Sequence, residues 1–162
     1  MTVSVCLVCR KLLSSSSTLL TPPLSVSSNI IVRTSMSLSN FKKTLSTPFV
    51  GAFQMISDPI VTEQYGKLGF GAVLIDQQHG LLDERTAFEC VQRLEKFPSC
   101  FPIIRVCDNS TALISRALDA GATGILAPMI NTADQARKLV EQCRYPPRGV
   151  RSWGPTRFEK DL

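Results

Sequence analysis

The chain has 162 residues, 44% of them hydrophobic, and a formal net charge of +5, which suits one domain of ordinary size. The charge is lopsided: residues 1–57 hold no Asp or Glu and five basic residues (Arg10, Lys11, Arg33, Lys42, Lys43), whereas residues 58–162 balance 13 basic against 13 acidic. A neutral body argues against a nucleic-acid partner, and no apolar run approaches the roughly 18 residues of a membrane-spanning helix.

Residues 1–40 read as a disordered leader. They are Ser-rich, basic and acid-free, and neither Ser14-Ser15-Ser16-Ser17-Thr18 nor Pro22-Pro23 suits a helix or a core. That is the composition of a transit peptide, with a mitochondrial or plastid destination expected and a cytoplasmic location as the alternative. Cys6 and Cys9 form a C-x-x-C, but zinc would need a second pair or a nearby His, so the spacing is read as coincidence. The six cysteines show no framework pattern, and reduced thiols are expected.

Residues 41–162 form the body. Short apolar runs at Phe49–Phe53, Ala72–Ile75, Pro102–Val106 and Gly124–Met129 lack alternation, as strands buried on both faces should. Helical signals fall after each run. Ser57-Asp58-Pro59 offers a cap and a first-turn proline, with Gly69 as a stop. Asp83 caps a helix whose Ala87, Phe88, Val91 and Leu94 share a face. Asn109 or Ser110 starts a third, with Leu113, Ile114, Ala117 and Leu118 inward and Gly121 closing it. Thr132 starts a fourth, with Ala136, Leu139, Val140 and Cys143 toward the core. Four β-α units in succession predict parallel strands joined by right-handed crossovers.

No G-x-G-x-x-G follows the first strand, which counts against a dinucleotide-binding sheet. A (β/α)8 barrel needs about 250 residues. The 116 residues from Thr47, or 105 from Asp58, supply four units, so the expected architecture is α/β, a partial (β/α)8 TIM barrel.

Reactive groups of such barrels gather at strand C-terminal ends. Asp76-Gln77-Gln78-His79-Gly80 follows the second run and holds the sole histidine, either a surface residue or a proton-transfer group. Asp76 suits a loop-orienting carboxylate. Arg105 lies in an apolar strand and needs an anionic partner, a bound carboxylate or a core aspartate. Asp119 ends the third helix against its dipole, and is either an incidental acid or one that orients His79. Lys67, Lys96, Lys138 and Lys160 lie in predicted helices or the tail, which leaves no Schiff-base candidate. Cys100 and Cys107 read as structural. The stretch Arg144 to Pro155, with three arginines and the only Trp, suits a phosphate, a nucleic acid or a subunit neighbour.

These residues resemble the HpcH/HpaI aldolase family. The markers are Gly51-Ala52-Phe53, Gly69-Phe70, Ile75-Asp76-x-x-His79, Arg105-Val106, Leu118-Asp119-Ala120-Gly121-Ala122, Ala127-Pro128-Met129 and Arg144-Tyr145-Pro146-Pro147-x-Gly149-x-Arg151, in that order. The resemblance implies aldol cleavage of a 4-hydroxy-2-oxo acid to pyruvate and an aldehyde by a metal-dependent class II aldolase. It implies a divalent ion (Mg²⁺, Mn²⁺ or Co²⁺) that stabilises the enolate. His79 matches the acid/base histidine, Asp119 its partner, Arg105 the oxo-acid-binding arginine, and Phe53 a residue lining the aldehyde side. Gln78 stands where the family commonly has Glu, and Ser152 where it has Gly after the arginine. The family's metal ligands lie beyond Leu162, so none is assigned here, and the chain is expected to be an N-terminal half of the barrel. Small-molecule 2-oxo acid and aldehyde partners and a homo-oligomer at full length are implied. A catalytically inactive half-barrel or interaction module is the alternative.

Overall fold

The computed structural model describes residues 6–9 and 48–154. After strand β1 (Cys6–Cys9) come four strand–helix pairs. These are β2 (Gly51–Gln54) with α1 (Pro59–Lys67), β3 (Ala72–Asp76) with α2 (Glu84–Leu94), β4 (Phe101–Arg105) with α3 (Thr111–Asp119), and β5 (Gly124–Ala127) with α4 (Ala133–Gln142). Strands β2 to β5 are parallel and lie side by side in chain order. That order separates the two α/β architectures. A doubly wound sheet reverses at a switch point, whereas consecutive strands each returned by a helix build the wall of a (β/α)8 barrel. The body is four units of such a wall.

Each helix begins where a short polar side chain accepts an early N–H. Asp58, Asp83, Ser110 and Thr132 accept from Ile60, Thr86, Leu113 and Gln135 respectively. The third helix is therefore capped by Ser110, not Asn109. Thr132 and Gln135 form a reciprocal capping box. Gly69 and Gly121, just past α1 and α3, take φ of +80° and +105°, a region where a side chain would be strained.

Parallel register puts Phe53, Leu74 and Ile103 on one face of the sheet and Gln54, Ile75, Ile104 and Ile125 on the other. The second face packs on the helices. Val73, Ile75, Ile104 and Ile125 meet Ala87, Val91, Leu94, Ile114, Leu118 and Leu139 in one core. Phe88, Leu113, Ala136 and Val140 are only partly buried at its margin. Each fully buried aliphatic side chain contributes about 1.5–3 kcal/mol, so this layer fixes the strand ends on which the site is built.

Strand β1 runs antiparallel along β5, with Leu7 opposite Leu126 and Val8 opposite Ile125. These four residues are the part of the leader that the structure describes. An unpaired β5 edge would present a row of N–H and C=O groups, and the apolar sequence Leu7-Val8 suits a paired strand. The rest of the leader lies outside the described residues. Among the described residues no helix is long and apolar enough to cross a membrane.

Candidate functional site

Asp76 and Arg105 are the last residues of β3 and β4 and are register partners. Arg105 Nε donates to Asp76 Oδ1 at 2.7 Å, and its Nη2 donates to Asp76 Oδ2. Of the two partners the sequence left open, Arg105 therefore has the core aspartate. The Asp76 side chain is fully buried, while that of Arg105 keeps 17% of its surface exposed. Burial alone pushes the Asp76 carboxyl up. The Arg105 fork and two backbone N–H groups outweigh it and hold the group below the usual carboxylate range. In return, Asp76 pushes the Arg105 guanidinium up. The pair is ionised throughout the physiological range. Arg105 Nη1 makes no hydrogen bond among the described residues.

The same carboxylate shapes the next turn. Asp76 Oδ1 accepts from Gln78 N at 3.0 Å and His79 N at 3.2 Å. The turn closes at Gly80, where an added Cβ would sit 2.2 Å from the Asp76 carbonyl oxygen and 3.1 Å from Met55 Cα. Leu81 N then donates to Met55 O at 2.9 Å. His79 is left exposed and Gln78 half-buried. From β2, the Phe53 ring lies 5.3 Å from the Arg105 guanidinium carbon, a cation–π contact. Phe53, Gln78, His79 and Arg105 thus belong to one rim at the C-terminal ends of β2 to β4. Further along it, Asn109 Nδ2 donates to Pro128 O at 2.7 Å, beside Met129 at φ +56°. A methionine in that region is strained, and the sequence gives no sign of it.

Asp119 is not brought to this rim. It is the last residue of α3, which returns against the strand direction and so ends beside the start of β4. Thr123, four residues on, donates its N–H to Pro102 O at 2.7 Å. His79 and Arg105 lie at the other end of the sheet, so the expectation that Asp119 orients His79 is not met within this chain. Asp119 instead pairs with Arg151, whose side chain is fully buried and whose guanidinium carbon lies 4.9 Å from the Tyr145 ring. Arg151 is thereby an internal cation rather than a surface one. An arginine in a Pro/Gly-rich loop carries no local signal of burial.

Comparison with known proteins bears on what the rim serves. A family model described as HpcH/HpaI aldolase/citrate lyase matches residues 50–159. The chain belongs to this family. The hydroxypyruvate/pyruvate aldolase of Paraburkholderia phytofirmans is 38% identical over 122 residues, which cover 74% of this chain and 45% of that protein. The 4-hydroxy-2-oxovalerate aldolase of Rhodococcus jostii is 34% identical over 125 residues, covering 76% and 48%. The crystal structure of macrophomate synthase superposes with a TM-score of 0.65 and 27% identity, covering 72% of this chain and 41% of that one. The chain spans about half the length of the curated relatives it matches.

The divalent ion that the HpcH/HpaI resemblance implies can be tested against the donors at hand. Among the described residues no group of three or more His, Cys, Asp or Glu could hold a metal ion. The rim carboxylate, Asp76, already gives both oxygens to Arg105. The described residues do not by themselves fit a metal site.

Proposed function

We propose that the rim of Phe53, Gln78, His79 and Arg105 is part of the active site of a 2-oxo-acid aldolase, which reversibly cleaves a 4-hydroxy-2-oxo acid to pyruvate and an aldehyde. The observation that carries this reading is the Arg105 guanidinium, held by Asp76 at a strand end beside the turn of the sole histidine. Cleavage breaks the C3–C4 bond. The C4 hydroxyl loses its proton, C4 becomes the aldehyde carbon, and the electron pair is left as the enolate of pyruvate, which is then protonated at C3. In this scheme Arg105 binds the carboxylate through its remaining N–H groups and stabilises the enolate's developing charge. His79 moves the protons, since an imidazole can both accept and donate one at its ring nitrogens. Phe53 supplies an apolar wall on the aldehyde side. Gln78 hydrogen-bonds at the rim without adding charge.

The reaction is assigned to class II, with Mg²⁺, Mn²⁺ or Co²⁺ as the expected ion. Lys67, the last residue of α1, is at a helix end rather than a strand end, so amine catalysis gains no candidate there. Small-molecule 2-oxo acid and aldehyde partners, a homo-oligomeric assembly and a mitochondrial or plastid address in residues 1–40 belong to the same proposal.

The test is pyruvate release from a 4-hydroxy-2-oxo acid in the presence of Mg²⁺, Mn²⁺ or Co²⁺. Turnover that falls by about 10²–10⁴ in His79→Ala supports the assignment; turnover that is undiminished in that variant overturns it. No turnover at all favours the second reading, an inactive half-barrel that binds another chain. The observation behind that alternative is the outer edge of β2, unpaired among the described residues and flanked by exposed Val50, Met55, Ile56 and Ile60.

A further inference from the structure

The helix-facing side of the sheet is aliphatic at Ile75, Ile104 and Ile125, yet the residue in register on β2 is Gln54. Gln54 is 1% exposed and its neighbour Thr62 on α1 is 0% exposed. A buried amide at such a position is costly unless every group is satisfied, and here it is. Gln54 Nε2 donates to Ile56 O at 3.0 Å and to Asp58 O at 2.9 Å, and lies 3.6 Å from Cys90 Sγ. Thr62 Oγ1 donates to Gln54 Oε1. The two carbonyls belong to the loop between β2 and α1, and Asp58 is also the cap of α1. The Met55 carbonyl of that loop receives Leu81 N–H, which closes the turn carrying His79.

We infer that Gln54 is a positioning residue. Through the Ile56 and Asp58 carbonyls it fixes the loop that carries Met55 and Ile56 beside Phe53, and through the Met55 carbonyl it fixes the turn that presents His79. Nothing in the side chain touches the reacting groups. Its catalytic meaning rests on the aldolase reading of His79, but its structural content does not.

The experiment uses the full 162-residue chain, whose one histidine gives an unambiguous ring signal in NMR spectra. Amide exchange at Leu81 and the His79 ring resonance are compared in wild type, Gln54→Leu, Thr62→Val and Thr62→Ser. Both Gln54→Leu and Thr62→Val are expected to speed Leu81 exchange by about tenfold or more and to move the His79 resonance, with the amides of β3 and β4 unchanged. Thr62→Ser, which keeps the hydroxyl, is expected to match wild type. A folded Thr62→Val or Gln54→Leu with wild-type exchange at Leu81 overturns the inference, as does equal acceleration throughout β3 and β4 or a Thr62→Ser that behaves like Thr62→Val. None of these readouts depends on turnover. The His79→Ala assay can therefore fail while the positioning holds, or the reverse.

Discussion

Asp76 serves two groups with one carboxylate, the Arg105 fork and the N–H groups that begin the His79 turn. Its pKa is lowered in the fold relative to about 3.9 in an unfolded chain, so between those two values the folded state binds fewer protons. The stability it contributes is therefore complete above about pH 4 and is lost as pH falls through the folded value. Asp76→Asn, which leaves the Arg105 charge uncompensated, is expected to cost about 2–4 kcal/mol at neutral pH and to flatten the acid limb in urea unfolding followed against pH. An acid limb identical to wild type would contradict the assignment. The cysteines differ by environment: burial pushes the Cys100 thiol up to about 11, whereas Cys107 is exposed. Peptide mapping after limited alkylation at pH 8 is expected to find Cys107 modified ahead of Cys90, Cys100 and Cys143. Preferential modification of Cys100 would show that the strand end is open. At this scale Arg105 was legible as a cation in need of an anion, because a charge in an apolar run stands out. Its choice of Asp76 was not, since the two meet only through strand pairing.

Helix starts were readable because caps are local: Asp58, Asp83 and Thr132 announce themselves within three residues. Strand limits were less so. Apolar runs extend past the ladder at Phe49 and Val50 before β2, at Val106 after β4, and at Pro128 and Met129, where the chain turns with φ of +56° at Met129. Phe49 is apolar for packing rather than pairing, since its ring lies where a Cβ on Gly71 would be, 2.7 Å away. Gly66 illustrates the same gap between propensity and packing. Alanine is the better helix former by about 1 kcal/mol. Yet a Cβ at Gly66, buried inside α1, would meet the Phe97 ring at 2.3 Å. Gly66→Ala is expected to lower stability by about 1–3 kcal/mol in denaturant unfolding. A stabilised variant would mean that Phe97 moves aside at no cost.

At the scale of the molecule, four repeats of strand and helix and their partial-barrel arrangement were visible in the sequence, but the residue-by-residue register was not, because pairing is non-local. The placement of Asp119 was within reach of the same pattern. A helix that returns along a parallel strand must end at that strand's beginning, which sends Asp119 away from Arg105 and toward Arg151. The β2 edge, with Ile56 and Ile60 exposed at 63% and 58%, is expected to drive concentration-dependent association of the isolated chain. Ile60→Lys should weaken that association in sedimentation velocity without lowering the melting temperature; an unaffected assembly would place the contact elsewhere. The claim on which the rest depends is that Arg105, presented by Asp76, receives a 2-oxo acid next to His79. The direct measurement is a pyruvate titration of the 162-residue chain read by its single histidine ring signal, with acetate at equal ionic strength as the control. A saturable shift of the His79 signal that is weakened at least about tenfold in Arg105→Ala is the predicted result. A signal that does not respond to pyruvate, or that responds equally without the Arg105 guanidinium, would contradict it.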